Sequence, residues 1–235
     1  GGSQIVDEAG DPKIVYHGTL RDFDVFKGLN YFTSEPDVAE FYARDHRGRN
    51  VGDTGSTKEA QIYPVYLSVK NPLDFTQEEV GLDLGEKEDF DEFIAIVEGT
   101  MANQGVVSLD SDEINDIRAD AAVNMQEVIL DQDRAGEEVW LDGYSKLWRG
   151  ESLVEIEEEA LSRVNGNNSV YHYIDNNESL KRALEKRGFD GITAFEDIGL
   201  HRVDPTIVMP FKPTQVKSQF NVGEFDVKEP KIQFQ

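Results

Sequence analysis

Apolar residues change their spacing twice along this 235-residue chain. Up to about residue 75 they come in short runs, Ile14-Val15-Tyr16, Tyr31-Phe32 and Ile62 to Val69, rich in β-branched and aromatic side chains and bounded by Gly, Pro, Asn or Asp. That pattern predicts strands. Residues 20–29 carry Phe23, Val25 and Phe26, which would pin a loop onto a core. Ser34-Glu35-Pro36-Asp37 reads as a helix start, with a hydroxyl cap and Pro in the first turn. Val38, Phe41 and Tyr42 then share one helical face. Residues 44–57 are polar and rich in Arg, and predict a loop.

From about 76 to 168 the period becomes helical. Phe90, Phe93, Ile94, Val97 and Met101 make one stripe, Ile114, Ile117, Ala121, Met125 and Val128 a second, and Trp140, Tyr144, Leu147 and Trp148 a third. Asp110 and Glu113 have the spacing of a reciprocal cap. Strand-like spacing returns at 169–174. Asn177 then caps a short helix through Leu180, Ala183 and Leu184, which Gly188 stops. Residues 189–193 and 206–211 predict two more strands, and the last fifteen residues an extended tail.

Charge sharpens this division. Residues 74–160 hold 26 acidic and 5 basic side chains, while the whole chain carries a formal −24. The acidity therefore belongs to the helical segment, and the flanks can tolerate an anionic ligand. With no basic surplus, nonspecific nucleic-acid binding is not expected. No run of 18 apolar residues predicts a membrane span. The absence of cysteine removes thiolate chemistry. His46, His172 and His201 show no metal spacing, and Asp131 to Gly136 departs from a calcium loop at Ala135, so no metal is expected.

Six stretches, in order, resemble the ADP-ribosyltransferase domain of phage polyvalent proteins, a distant relative of diphtheria toxin and the poly(ADP-ribose) polymerases. They are His17-Gly18-Thr19, Tyr31-Phe32-Thr33, the helix with Tyr42, Val65 to Leu73, Phe189-Asp190-Gly191-Ile192, and Phe211 to Ser218. Asn221 to Asp226 is similar to the usual continuation of such domains. His17 and Tyr31 match the His-Tyr-Glu branch. The position aligned with its glutamate carries Gln215.

The resemblance implies an α+β ADP-ribosyltransferase fold, a split mixed β-sheet core with an inserted acidic helical subdomain. Its parts would be a first core half at 1–75, the insertion at 76–168, a second core half at 169–220 and a tail at 221–235. It implies NAD as substrate. His17 would hydrogen-bond a ribose hydroxyl, and Gly18 and Thr19 would meet the carboxamide through the backbone. Tyr31 and Tyr42 would sandwich the nicotinamide, with Phe32 and Thr33 completing the contacts. Arg44, Arg47 or Arg49 would reach the pyrophosphate. Gln215 would take the third catalytic position, with Glu196 or Asp197 as candidate substitutes for the missing carboxylate.

Transfer of a single ADP-ribose to a protein acceptor is expected, with a nucleic-acid acceptor as the alternative, in the bacterial host cytoplasm. A rival reading is a weak or inactive NAD-binding module that acts through a basic partner of the acidic segment.

Overall fold

The computed structural model describes residues 2–19, 24–43, 61–76, 90–132, 171–174, 177–195, 206–220 and 230–231. They divide into two compact units. One is formed by Gly1–Gln77 with Gly188–Gln235, the other by Glu78–Arg187.

The first unit is a seven-stranded sheet. Its strands are β1 (Ile14–Thr19), β2 (Phe32–Thr33), β3 (Gln61–Leu67), β4 (Pro72–Asp74), β5 (Gly191–Phe195), β6 (Thr206–Pro210) and β7 (Val216–Ser218), in the order β4-β5-β6-β2-β1-β3-β7. β1 pairs with β3 along its whole length, from Ile14 opposite Tyr66 to Thr19 opposite Gln61, and with β2 at Tyr16 opposite Thr33. All pairings are antiparallel except β4 with β5. A parallel pair needs a long crossover, because the chain must return to the starting end. The second unit lies in that connection. With helix α1 (Pro36–Ala43) against β1, the mixed sheet makes an α+β fold.

Alternation along the strands builds the core. Val15, Phe32, Val65, Val208 and Val216 are each at most 2% exposed, and Phe26 from the β1–β2 connection is buried with them. Phe26 is thus the loop pin that its position suggests. α1 begins one residue later than its sequence implies. Pro36 is its first residue, Ala39 N–H bonds Glu35 O, and Ser34 N–H is drawn to Thr206 O. Its buried face is Val38, Ala39 and Ala43, whereas Tyr42 is 37% exposed.

Three of the matching motifs meet in one hydrogen-bonded junction. The Asp190 carboxylate accepts from Lys70 N–H and Asn71 N–H at 2.8–3.1 Å. The Asp190 carbonyl accepts from Phe211 N–H and from Gln215 Nε2, and Asn71 Nδ2 donates to Gly188 O. Gly191 must be glycine here, since a Cβ would lie 2.9 Å from Val69 Cγ1 and 3.1 Å from Met209 O. The junction closes the turn after β3 onto the start of β5 and the end of β6.

The second unit contains α2 (Phe90–Asn103), α3 (Ser111–Gln132), α4 (Tyr171–Ile174) and α5 (Glu178–Lys186). The stripes on α2 and α3 are buried at Phe90, Phe93, Val97, Met101, Ile117 and Ala121. The third predicted stripe, with Trp140 and Trp148, lies outside the described residues. Residues 171–174 are a helical turn, not the strand that their spacing suggests. Tyr173 stacks on Phe93 at 5.3 Å and meets Phe90 at 6.0 Å, so an interior aromatic, not β pairing, decides the local conformation. Asn177, fully buried, caps α5 at Leu180 N–H and donates to Ile117 O and Tyr173 O. Gly188 follows α5 at φ 88°.

The reciprocal cap is present, with Glu113 N–H on Asp110 Oδ1 and Asp110 N–H on Glu113 Oε2. Arg187 adds what the sequence did not show. Its guanidinium donates to Val107 O, Ser108 O, Ala183 O and both oxygens of Glu113, using its fork of five N–H groups. Lys186 also reaches Glu113, at 2.8 Å. Hydrogen bonds from Arg187, then Lys186 and Asp110 N–H, hold the Glu113 carboxyl down to about 2 against the upward push of its desolvation. Arg187→Met is expected to cost about 1–3 kcal/mol, because Glu113 then keeps only Lys186 and Asp110 N–H as partners, and urea denaturation reads it. A depressed carboxyl stabilises fully above its unfolded pKa of about 4.5. That part of the stability is lost as pH falls from there toward 2.

Candidate functional site

β1 ends in His17-Gly18-Thr19, and three elements converge on it. The His17 Nδ1 lies 2.8 Å from Tyr31 O. A carbonyl only accepts, so Nδ1 carries the proton and Nε2 carries the lone pair. The ring rests against Phe26, edge-on at 5.1 Å and 89°, and against Phe32 at 5.5 Å. Tyr63 is its cross-strand partner on β3. Burial pushes the His17 pKa below 6.5, against a smaller upward pull from the Tyr31 carbonyl. The imidazole is therefore neutral at pH 7 and aims an acceptor, not a donor, from Nε2.

Gly18 meets α1 on its other side. A Cβ at Gly18 would stand 1.7 Å from Ala39 O and 3.0 Å from Ala43 N. Only glycine lets the helix backbone come this close. Side chains alternate across a strand, so the His17 ring lies on the face opposite the one α1 covers. Tyr42 is 37% exposed, and Tyr31 and Thr19 are half-buried.

Two of the expected contacts are interior residues instead. Phe32 is fully buried between Phe26 and the His17 ring. Thr33 is 5% exposed, and its hydroxyl accepts from Glu35 N–H. Both sit in the sheet between β1 and β6, so packing and turn closure use up what they offer.

Gln215 is not brought to His17. It closes a 3₁₀ turn (Pro213–Gln215) before β7, and β7 is separated from β1 by β3. Its Nε2 donates to Ser68 O at 3.0 Å and Asp190 O at 2.8 Å, and its Oε1 accepts from Lys212 N–H at 2.7 Å. Ser68 lies five residues along the chain from Tyr63, the partner of His17, or about 17 Å at roughly 3.4 Å per residue. The reading of Gln215 as the third catalytic position is thus corrected: its amide is spent on three backbone groups of the junction.

The strand that does flank β2 is β6. Phe32 pairs with Val208 and Thr33 with Ile207, and Thr206 stands opposite Phe195, the last residue of β5. Glu196 follows directly in sequence. Glu196, Asp197, Arg44, Arg47 and Arg49 lie outside the described residues. Among the described residues no group of three or more His, Cys, Asp or Glu could hold a metal ion, and no helix is long and apolar enough to cross a membrane.

The enclosure of His17 by Phe26 was not legible in advance. Sequence spacing marks Phe26 as a loop pin, but the side chain it meets depends on the path of the loop.

No curated protein and no solved structure matches this chain. One family model does, that of the ADP-ribosyltransferase in polyvalent proteins, over residues 7–225, bounds that enclose the helical unit. The match covers most of the chain, and the mixed sheet with helices is the α+β architecture that the resemblance implies: the protein belongs to the family of ADP-ribosyltransferases in polyvalent proteins.

Proposed function

We propose that the chain is a NAD-dependent mono-ADP-ribosyltransferase that modifies a macromolecule of a bacterial host, a protein in the first instance. The observation that carries this reading is the orientation of His17. With Nδ1–H spent on Tyr31 O, Nε2 accepts a hydrogen bond from a ribose hydroxyl of NAD. The ribose is thereby held without adding positive charge where the sugar itself becomes cationic. Tyr42 and Tyr31 face the nicotinamide, whose ring is cationic before cleavage, and an aromatic face favours it by about 0.5–2 kcal/mol. The bond from nicotinamide nitrogen to ribose C1 breaks, its electron pair leaving with nicotinamide. A nucleophilic atom of the acceptor bonds to C1 and gives up its proton.

Glu196 is the residue we assign to orienting that acceptor, since β5, which it follows, ends beside the start of β6. Arg44 is the candidate for the pyrophosphate. The rival reading, a binding module acting through the acidic segment, keeps NAD binding but releases no nicotinamide.

Adenine-labelled NAD added to a bacterial lysate tests the reading. His17→Ala is expected to lower labelling and nicotinamide release by about 100-fold, far beyond what its loss of packing against Phe26 and Phe32 does to the folded fraction at assay temperature. Because the neutral imidazole is the working form, the acid limb of the wild-type rate should lie below pH 6.5, the direction in which its burial moves it. Equal labelling by both proteins, or a limb above pH 6.5, would remove His17 from the ribose.

A further inference from the structure

Two residues near the end of the β1–β2 path meet the His17 imidazole. The Phe26 ring stands edge-on to it at 5.1 Å, and Tyr31 O lies 2.8 Å from its Nδ1. The turn between these two residues is held by its own side chain. Asn30 Nδ2 donates to Lys27 O at 2.9 Å and to Gly28 O at 3.1 Å, and Gly28 stands at φ 70°, which glycine adopts without strain. Phe26 is 2% exposed, whereas Lys27 and Gly28 are exposed. The chain therefore turns outward directly after its buried anchor. It delivers the Lys27 ammonium to solvent one residue from a ring that touches His17, and among the described residues no carboxylate pairs with it.

We propose that Lys27 binds the pyrophosphate of NAD: from the turn before β2 it sets a positive charge beside the ribose at His17 and holds the ADP-ribosyl half in place while nicotinamide leaves. The assignment rests on the reading of His17 at the ribose and says which further part of NAD the same site grips. A ribose in NAD is joined to the pyrophosphate through its C5′, so a cation that serves the dianion must stand within about a sugar's length of His17. The four-carbon stem of a lysine carries its ammonium about 6 Å beyond its Cα, enough for that span. The need for a local cation follows from the chain's formal charge of −24, whose field repels a dianion. An ammonium with three donors meets phosphate oxygens as a compact point charge. It leaves room for Arg44 at the other phosphate. The charge on the pyrophosphate does not change when the bond to nicotinamide breaks, so Lys27 holds ground state and transition state alike. Its loss should raise KM and leave kcat, the opposite of what His17 does.

The experiment is calorimetry on the full chain at low and high salt, with wild type, Lys27→Met and Lys27→Arg. The ligands are NAD, ADP-ribose and nicotinamide riboside, the last without phosphate and read as a competitor of NAD. Lys27→Met is expected to weaken NAD and ADP-ribose about tenfold and to leave nicotinamide riboside unchanged. Lys27→Arg keeps the charge and should stay within about threefold of the wild type. NAD affinity should fall with salt more steeply in the wild type than in Lys27→Met. A Lys27→Met protein that binds NAD as tightly as the wild type overturns the assignment. So does one that loses nicotinamide riboside equally, because the turn and not the charge has then failed. The Asn30 amide grips backbone carbonyls, which no Lys27 variant removes, so both variants should fold. If Lys27→Met does not, the wild type decides: an NAD affinity that salt leaves unmoved overturns the proposal. Charge-dependent NAD binding in a protein that releases no nicotinamide would sink the transferase reading and leave Lys27 at the pyrophosphate. Transfer that needs His17 and not Lys27 would do the reverse, and a wild type that binds neither NAD nor ADP-ribose overturns both.

Discussion

Gln215→Glu is expected to destabilise the protein severely, and not to raise its activity. The substitution places a carboxylate where an amide N–H₂ donates to two carbonyls, Ser68 O and Asp190 O. Acceptor then faces acceptor in a site where the side chain is 8% exposed. The lost hydrogen bond to Ser68 O costs about 1–3 kcal/mol, Asp190 O keeps only Phe211 N–H, and a buried charge adds to this. The total of about 3–5 kcal/mol corresponds to a fall of about 10 °C or more in melting temperature for a chain of this size. Thermal denaturation of the purified variant measures it. The result matters because the aligned family position would make the same substitution a restoration of the catalytic glutamate. A variant of unchanged melting temperature that hydrolyses NAD faster than the wild type would return Gln215 to the ribose and break the junction described above.

Gly18→Ala should have the second large effect, through α1. The new methyl would meet Ala39 O at 1.7 Å, Ala39 C at 2.6 Å and Ala43 N at 3.0 Å. All three are helix backbone atoms, which cannot rotate aside as the end of a side chain can. Either the helix lifts from β1 or the strand distorts, and overpacking of this severity costs about 3 kcal/mol or more. Tyr42 moves with the helix. NAD affinity measured by calorimetry should therefore fall together with the melting temperature. Wild-type stability and NAD affinity in Gly18→Ala would mean that α1 does not rest on the glycine.

The two substitutions show where local sequence is a good guide and where it misleads. His17, Gly18 and Tyr31 could be singled out because a histidine-glycine pair ends a short apolar run and a second such run, Tyr31-Phe32, follows at a loop's distance. Their proximity is local topology, β1 beside β2, and short connections tend to join neighbours. Gln215 was aligned by a motif, Phe211 to Ser218, that is equally visible in the sequence. What could not be seen is that this motif, Phe189-Asp190-Gly191-Ile192 and the end of Val65 to Leu73 form hydrogen bonds to each other. Their sequence separations of 25 to 147 residues carry no local signal. A recurring motif can mark a folding junction as readily as a reaction centre, and only the partners of its polar atoms tell the two apart.

The same distinction runs through the helical segment. Periods of 3.6 placed α2 and α3, and the Asp110–Glu113 and Asn177 caps were readable because a cap is a contact within three residues. The turn at Tyr171–Ile174 was misread as strand because four residues cannot display a period, and burial of Tyr173 against α2 overrode the local preference. Arg187 was invisible for a related reason, since its five donors find acceptors up to 80 residues away.

By itself, then, the amino-acid order determined what each short stretch can become: which runs are strands, which stripes are helices, where a cap or a glycine stop must stand, and that a histidine lies at a strand end. Those properties follow from steric and hydrogen-bonding rules that act over a few residues. The tertiary structure alone decided which polar side chains are spent on folding and which are left to work. It gave the Gln215 amide and the Asp190 carboxylate to backbone groups of distant strands, and it turned Nδ1–H of His17 toward Tyr31 O so that Nε2 carries the lone pair. A side chain's chemistry depends on its partners, and partners across a sheet are set by register and burial, not by the neighbours in the chain.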